Sequence, residues 1–167
     1  MPQSLSKVII HIIFTTKDRE PWLDHEIRSR MHAYLATVCR DMDGEAYRRG
    51  GGARDKWQPA PFGRALPRRI RPCAYRDDPP RTLSQADLIE HMKTTSSKWV
   101  KGLAPKYGGF HWQRGYADFS VSPSQLGSVL DYVSTQEDHH RTRTFQDEYR
   151  EFLRKHEITF DERYVWD

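Results

Sequence analysis

Hydrophobic positions in the first third of the chain predict a strand, a helix and a second strand. Residues 7–16, KVIIHIIFTT, are β-branched and aromatic with almost no polar interruption, which is typical of a strand buried in a sheet. From Asp24 to about Met42 the apolar residues recur at helical spacing, and Asp24 is a suitable N-cap. A short strand is predicted at residues 45–49, EAYRR.

The second half of the chain has equally clear patterns. Residues 82–103, TLSQADLIEHMKTTSSKWVKGL, carry an apolar stripe at helical spacing, and Ser84 with Asp87 resembles a capping box. Alternating residues predict a strand near positions 116–121. A helix follows directly, and a last helix is predicted at about residues 145–156.

Residues 49–80 interrupt this order. They contain six prolines, a glycine triplet and many arginines, and they show neither strand alternation nor helical spacing. Such a length without regular structure is unusual inside a compact domain. We therefore predict a single domain over residues 1–167, with an anomalous segment at 49–80 that is disordered or frameshifted. The element order predicts an α+β, ferredoxin-like (RRM-like) fold: an antiparallel sheet with helices on one face and its central strand disrupted.

Composition and charge narrow the classes of partner. The chain has 167 residues, a net charge of +4, 12% aromatic residues and a mean hydropathy of −0.86, with a pI near 9.1. This balance favours a polyanionic partner, most commonly nucleic acid. Neither a signal peptide nor an apolar run long enough for a membrane span is evident. We expect a cytoplasmic protein with no membrane partner.

Two sets of residues are candidates for chemistry. Tyr132 and Gln136 are four residues apart in a predicted helix, so they lie on one face about one turn apart. They are either ordinary half-buried surface residues or a nucleophile and a metal ligand that address one phosphate. The second set is a candidate DNA surface, because lysines contact phosphates and aromatic rings stack on unpaired bases. Its members are Lys93, Lys98, Lys101 and Trp112.

Several blocks of the sequence resemble one family. These blocks are HIIFTTKDREPWL, TLSQADLIEHMKTTSSKWVKG, FHWQRGYADFSVSPSQ, YVSTQEDHHR and the C-terminal TFQDEYREFLRKH with DERYVWD. Together they resemble the single-tyrosine transposases of insertion sequences and REP-associated elements, within the His-hydrophobic-His nuclease superfamily. The resemblance covers about residues 5–48 and 81–167.

The resemblance implies a dimeric, ferredoxin-like enzyme of DNA transposition that cuts and rejoins single-stranded or hairpin DNA. It implies that Tyr132 is the nucleophile, which forms a 5′-phosphotyrosine link and releases a 3′-OH. It also implies that Gln136 and two strand histidines hold Mg²⁺ or Mn²⁺, and that no nucleotide cofactor is needed.

The sequence departs from the family at the metal-binding strand. No His-x-His occurs in the chain, and residues 44–80 contain no histidine. If residues 71–75, RPCAY, are encoded CGA CCA TGT GCA TAT and the Arg76 codon begins with C, a shift of one base reads Asp-His-Val-His-Ile. We therefore hypothesise a frameshift over about residues 49–80 and expect cleavage to be weak or absent. The alternatives are a non-catalytic DNA-hairpin-binding module and a frameshift product without function.

Overall fold

The computed structural model describes residues 7–47, 73–75, 84–139 and 144–165. Within them the chain forms four strands and four helices, together with two short 3₁₀ turns at Lys17–Arg19 and Pro105–Tyr107. The strands are β1 (Val8–Ile13), β2 (Gly44–Ala46), β3 (Cys73–Tyr75) and β4 (Ala117–Ser120). The helices are α1 (His25–Asp41), α2 (Gln85–Lys101), α3 (Leu126–His139) and α4 (Phe145–Lys155). The chain therefore has an α+β fold.

The strands form one four-stranded sheet in the order β2-β3-β1-β4, and each neighbouring pair is antiparallel. Strand β1 is central: Ile9 lies opposite Ala74 of β3, and His11 lies opposite Phe119 of β4. The central strand that the sequence predicts to be disrupted is present as the three-residue β3, which pairs with a neighbour on both of its edges. Its three residues are too few to give a recognisable alternation, so the sequence pattern did not reveal them. The rest of the predicted anomalous segment lies outside the described residues.

Local sequence signals explain where the helices begin. The Asp24 carboxylate accepts a hydrogen bond from the Ile27 backbone N–H at 2.9 Å, which confirms the predicted N-cap of α1. Helix α2 begins with the predicted capping box: the Asp87 N–H donates to Ser84 Oγ, and the Ser84 N–H donates to the Asp87 carboxylate. Helix α4 begins at the N-cap Thr144, whose hydroxyl oxygen accepts a hydrogen bond from the Asp147 backbone N–H at 3.2 Å.

Helices cover both faces of the sheet, so the prediction of helices on one face is wrong. Alternate residues of β1 point to opposite faces. On one face, Ile10 and Ile12 pack with the apolar stripes of α1 and α2 in the largest core of the described residues. On the other face, Ile9 packs near α3 and Ile13 packs with Leu153 of α4. We call these the α1/α2 face and the α3/α4 face.

Candidate functional site

Tyr132 lies on α3, at the α3/α4 face of the sheet. Its side chain is half-buried, and its ring is nearly parallel to that of Phe152 on α4, with the ring centroids 6.4 Å apart. Phe152 in turn contacts Phe119 at 4.5 Å and His11 at 5.5 Å, both edge-on. Tyr132 therefore borders a layer of aromatic rings on the sheet, with part of its side chain open to solvent.

Gln136 belongs to the same continuous helix, one turn after Tyr132. The backbone of α3 is helical from Leu126 to His139, so the two positions share a face of the helix, as the spacing predicts. The side chains of residues 134–139 lie outside the described part of the structure. The role of Gln136 as a metal ligand stays a prediction.

A metal site can be sought only among the described residues. Among them, no three His, Cys, Asp or Glu side chains are grouped so that they could hold a metal. Mg²⁺ needs several ligands in near-octahedral geometry, and most of them are oxygens. A site that involves Gln136 would need further ligands from outside the described side chains.

Position 74 belongs to the same face of the sheet as the residues beneath Tyr132. Ala74 is opposite Ile9 in the antiparallel register, and residues directly opposite each other share a face. Ile9 and His11 are two residues apart on β1, so they also share a face, and His11 contacts Phe152. In the shifted reading of residues 71–75, position 74 is one of the two that become histidine.

Lys93 holds the loop that leads into β4. Its ammonium group donates hydrogen bonds to the carbonyl oxygens of Gln113 at 2.9 Å, Arg114 at 3.0 Å and Gly115 at 2.8 Å. A lysine ammonium has three donors, so this set uses all of them. Burial lowers the pKa of Lys93 to about 8. This arrangement favours a structural role for Lys93 over direct phosphate binding.

Trp112 is a core residue of the α1/α2 face. Its side chain is 9% exposed and meets Phe14 and Phe110 edge-on, with centroids 4.9 and 5.0 Å apart. The indole N–H donates to the buried Ser96 hydroxyl at 2.9 Å. A ring packed on both sides in this manner is not free to stack on a base, so the geometry does not favour the predicted DNA contact.

The other two residues of the predicted DNA surface lie in one surface groove. This depression of about 620 Å³ lies between α2 and residues 112–116, and we call it the basic groove. Lys98 is exposed and Lys101 is partly exposed along it, and Lys93 and Trp112 form part of its wall. The structure thus brings all four predicted residues together.

One further basic residue and one further aromatic residue line the basic groove and were not predicted. Arg114 and Tyr116 are both exposed, and they stand opposite the lysines of α2 across the basic groove. The signal for them was available, since QRGY at 113–116 interleaves basic and aromatic residues next to a predicted strand. A four-residue pattern of this kind is common, so the sequence does not identify it as part of a site. Only its position beside α2 does so.

None of the described helices has the length and apolar character that crossing a bilayer requires. No protein-family profile matches the chain, and no curated protein matches it. Among solved structures, the chain is similar to a candidate transposase of Deinococcus radiodurans R1, known from a crystal structure at 1.90 Å resolution. The two are 18% identical with a TM-score of 0.47, and the match covers 79% of this chain and 92% of the other. A likeness of this size does not assign an activity.

Proposed function

We propose that the chain is a transposase-family protein that acts on single-stranded or hairpin DNA, with Tyr132 in the position of the nucleophile. The proposal starts from the sequence blocks that resemble the single-tyrosine transposases. It is supported by the topology, since a β-α-β-β-α-β order with strands arranged β2-β3-β1-β4 is that of a ferredoxin-like sandwich. By the same resemblance, we propose that the protein acts in the cytoplasm as a homodimer.

The observation that carries the proposal is the relation between Tyr132 and position 74. Tyr132 borders Phe152, which contacts His11, and Ala74 shares the face of its neighbour Ile9. A histidine at position 74, as in the shifted reading, would therefore belong to the face of the sheet that α3 covers. The spacing of Tyr132 and Gln136 and the shifted codons come from the sequence alone. Neither of them required position 74 to belong to the face of the sheet that α3 covers.

In the proposed reaction the Tyr132 phenolic oxygen attacks a DNA phosphodiester. An oxygen–phosphorus bond forms, the bond from phosphorus to the 3′ oxygen breaks, and the proton lost by the phenol is balanced by one gained at the 3′-OH. The reverse reaction rejoins the strand, so no nucleotide cofactor is consumed. A neutral phenol is a weak nucleophile and needs activation. Because the chain lacks a His-x-His, we infer that this copy cleaves DNA weakly or not at all.

A restored variant tests the proposal. It carries the shifted reading of the central strand, as Arg71→Asp, Pro72→His, Cys73→Val, Ala74→His and Tyr75→Ile. We expect it to form a covalent adduct with a labelled single-stranded hairpin in the presence of Mg²⁺ or Mn²⁺, and we expect the unchanged chain to form little or none. Adduct formation should disappear when Tyr132→Phe is added and persist when Tyr34→Phe is added, since Tyr34 lies on α1 against Trp99.

A folded restored variant that binds the hairpin but forms no adduct would reject the proposed chemistry. Melting curves establish whether it is folded. The encoding DNA tests the frameshift separately, because each shifted histidine requires adenine as the third base of the Pro72 and Ala74 codons. Any other base at either codon excludes this reading of the strand.

The second candidate function is a non-catalytic module that binds DNA hairpins. The basic groove favours it, because Lys98, Lys101 and Arg114 line the groove independently of the tyrosine helix. If this function is correct, Tyr132→Phe leaves hairpin binding unchanged. Neither the unchanged chain nor the restored variant then forms a covalent adduct.

A further inference from the structure

The basic groove is not isolated, because a second depression meets it beside β4. This tail pocket has a volume of about 170 Å³ and shares Gln113 and Tyr116 with the basic groove. Gln113 is held in place, since its side-chain oxygen accepts the Asp18 backbone N–H at 3.1 Å. The tail pocket is lined by residues including Ile13, Arg19, Gln113, Tyr116, Tyr149 and Tyr164. The two depressions therefore adjoin at Gln113 and Tyr116, and we call them together the path.

The charge along this path is predominantly positive. Lys98, Lys101 and Arg114 line the basic groove, and Arg19 lines the tail pocket. Within the described part of the chain, no ion pair is recorded for any of these four. Glu90 is the acidic residue among the described residues that line either depression. Basic side chains therefore outnumber acidic ones along the path.

Two exposed aromatic rings lie along the same path. Tyr116 is 43% exposed at the junction of the two depressions, and Tyr164 is 66% exposed at the tail pocket. Lys93 positions the first of them: it binds the three carbonyls just before Tyr116, and its ammonium lies 5.5 Å from that ring's centroid. The exposed ring of Tyr116 therefore lies on a loop that Lys93 holds. The buried ring of Trp112 forms part of the groove wall.

We propose that the basic groove and the tail pocket form one binding track for an unpaired nucleic-acid segment. In this track, Lys98, Lys101 and Arg114 neutralise phosphates, and Tyr116 and Tyr164 stack on bases. Basic grooves with interspersed aromatic rings are the usual way to bind single strands, because every base has a stacking face. Paired bases in a duplex are already stacked and do not offer those faces to the rings. The inference rests on the proposed function for the choice of DNA, but it does not require chemistry at Tyr132.

The electrostatic part is tested by the salt dependence of binding. Fluorescence anisotropy would follow a labelled oligothymidylate as salt is varied, with the full chain and with the triple variant Lys98→Gln, Lys101→Gln, Arg114→Gln. Each lost phosphate contact lowers the log–log salt slope by about 0.7 for single strands, so we expect the slope to fall by about 2. The matched control removes the same charge elsewhere, through Arg40→Gln, Arg154→Gln and Lys155→Gln. Equal salt slopes for the two triple variants would reject the proposed binding track.

The stacking part is tested by Tyr116→Leu and Tyr164→Leu. Loss of a base-stacking ring weakens binding by about 5- to 150-fold. We expect such a loss for oligothymidylate, with little change for a duplex of the same length or for inorganic polyphosphate. Tyr47→Leu is the control, because Tyr47 packs beside Ile9, outside the track. If both tyrosine variants bind the single strand normally, or weaken all three ligands equally, base stacking in the track is rejected.

The two proposals fail in different ways. Track variants that lose affinity, in a protein whose restored form makes no adduct, support the track and reject the nuclease. A restored form whose adduct and affinity are both insensitive to the track variants supports the nuclease and rejects the track.

Discussion

The two faces of the sheet differ in how completely they bury their side chains. In the described structure the α1/α2 face has sixteen buried residues in one cluster, from Ile10 to Trp112. The α3/α4 face has two small clusters with two and three buried residues, bordered by half-buried rings such as Tyr132, Tyr149 and Phe152. The first face therefore buries more apolar side chains in a single cluster, and the second leaves several aromatic side chains partly exposed.

The largest expected effect separates the two faces by their packing. Phe110 is fully buried on the α1/α2 face, and we expect Phe110→Ala to lower the free energy of unfolding by about 3–5 kcal/mol. Phe152 on the other face is only half-buried, and Phe152→Ala should cost about half as much, since less surface and a smaller cavity are involved. Urea unfolding measures both. Equal losses would show that the α3/α4 face is packed as tightly as the first.

A buried polar pair is the next test. Ser96→Ala removes the acceptor of the Trp112 indole N–H and leaves that donor buried, which should cost about 1–3 kcal/mol. The exposed Ser128 of α3 is the matched control on the other face, and Ser128→Ala should stay within about 0.5 kcal/mol. Thermal unfolding of the two variants gives the comparison. A neutral Ser96→Ala would mean that water replaces the hydroxyl.

Variants that remove a helix N-cap test whether the helices on the two faces of the sheet unfold together. Ser84→Ala and Thr144→Ala each remove an N-cap acceptor, typically worth about 1 kcal/mol. We expect Ser84→Ala to speed hydrogen exchange throughout the main core, because α2 belongs to it. Thr144→Ala should speed exchange mainly in α4, which opens locally. Identical exchange patterns for the two variants would mean that the chain unfolds as a single unit.

The last test is a pH dependence specific to Lys93. Burial lowers its pKa from 10.5 to about 8, so between those pH values the unfolded chain binds more protons than the folded chain. The free energy of unfolding therefore gains a contribution that rises with pH across this window and is constant below it. Urea unfolding from pH 7 to 10 should show this rise in the unchanged chain and not in Lys93→Met. Parallel curves for the two proteins would contradict the lowered pKa.

The local elements were predictable because their signals are contained in short stretches of sequence. The N-caps Asp24 and Ser84 and the stripe of α2 need only neighbouring residues to act, and the structure has them where the pattern predicts. The same holds for β1, whose apolar run indicates burial on both faces. The candidate site was predictable only as positions on a helix, since the i and i+4 spacing of Tyr132 and Gln136 does not say what the helix packs against.

The residues that line the basic groove were predictable only in part, for a similar reason. Lys98 and Lys101 do line a groove, but charge and aromatic type alone do not distinguish them from Lys93 and Trp112. That distinction arises because the Lys93 ammonium donates to three carbonyls 20 to 22 residues away, and Trp112 contacts Phe14 and Ser96, which are also distant in sequence. Tyr116 was missed because its exposure depends on how its loop is held.

By itself the sequence determined the helices, their caps, the buried central strand and the spacing of the tyrosine motif. These depend on backbone propensity and on side chains within one or two turns. Only the tertiary structure decided that helices cover both faces, that three residues near Ala74 complete the sheet, and which basic and aromatic side chains remain open. Those outcomes depend on contacts between residues far apart in the chain, which no local pattern records.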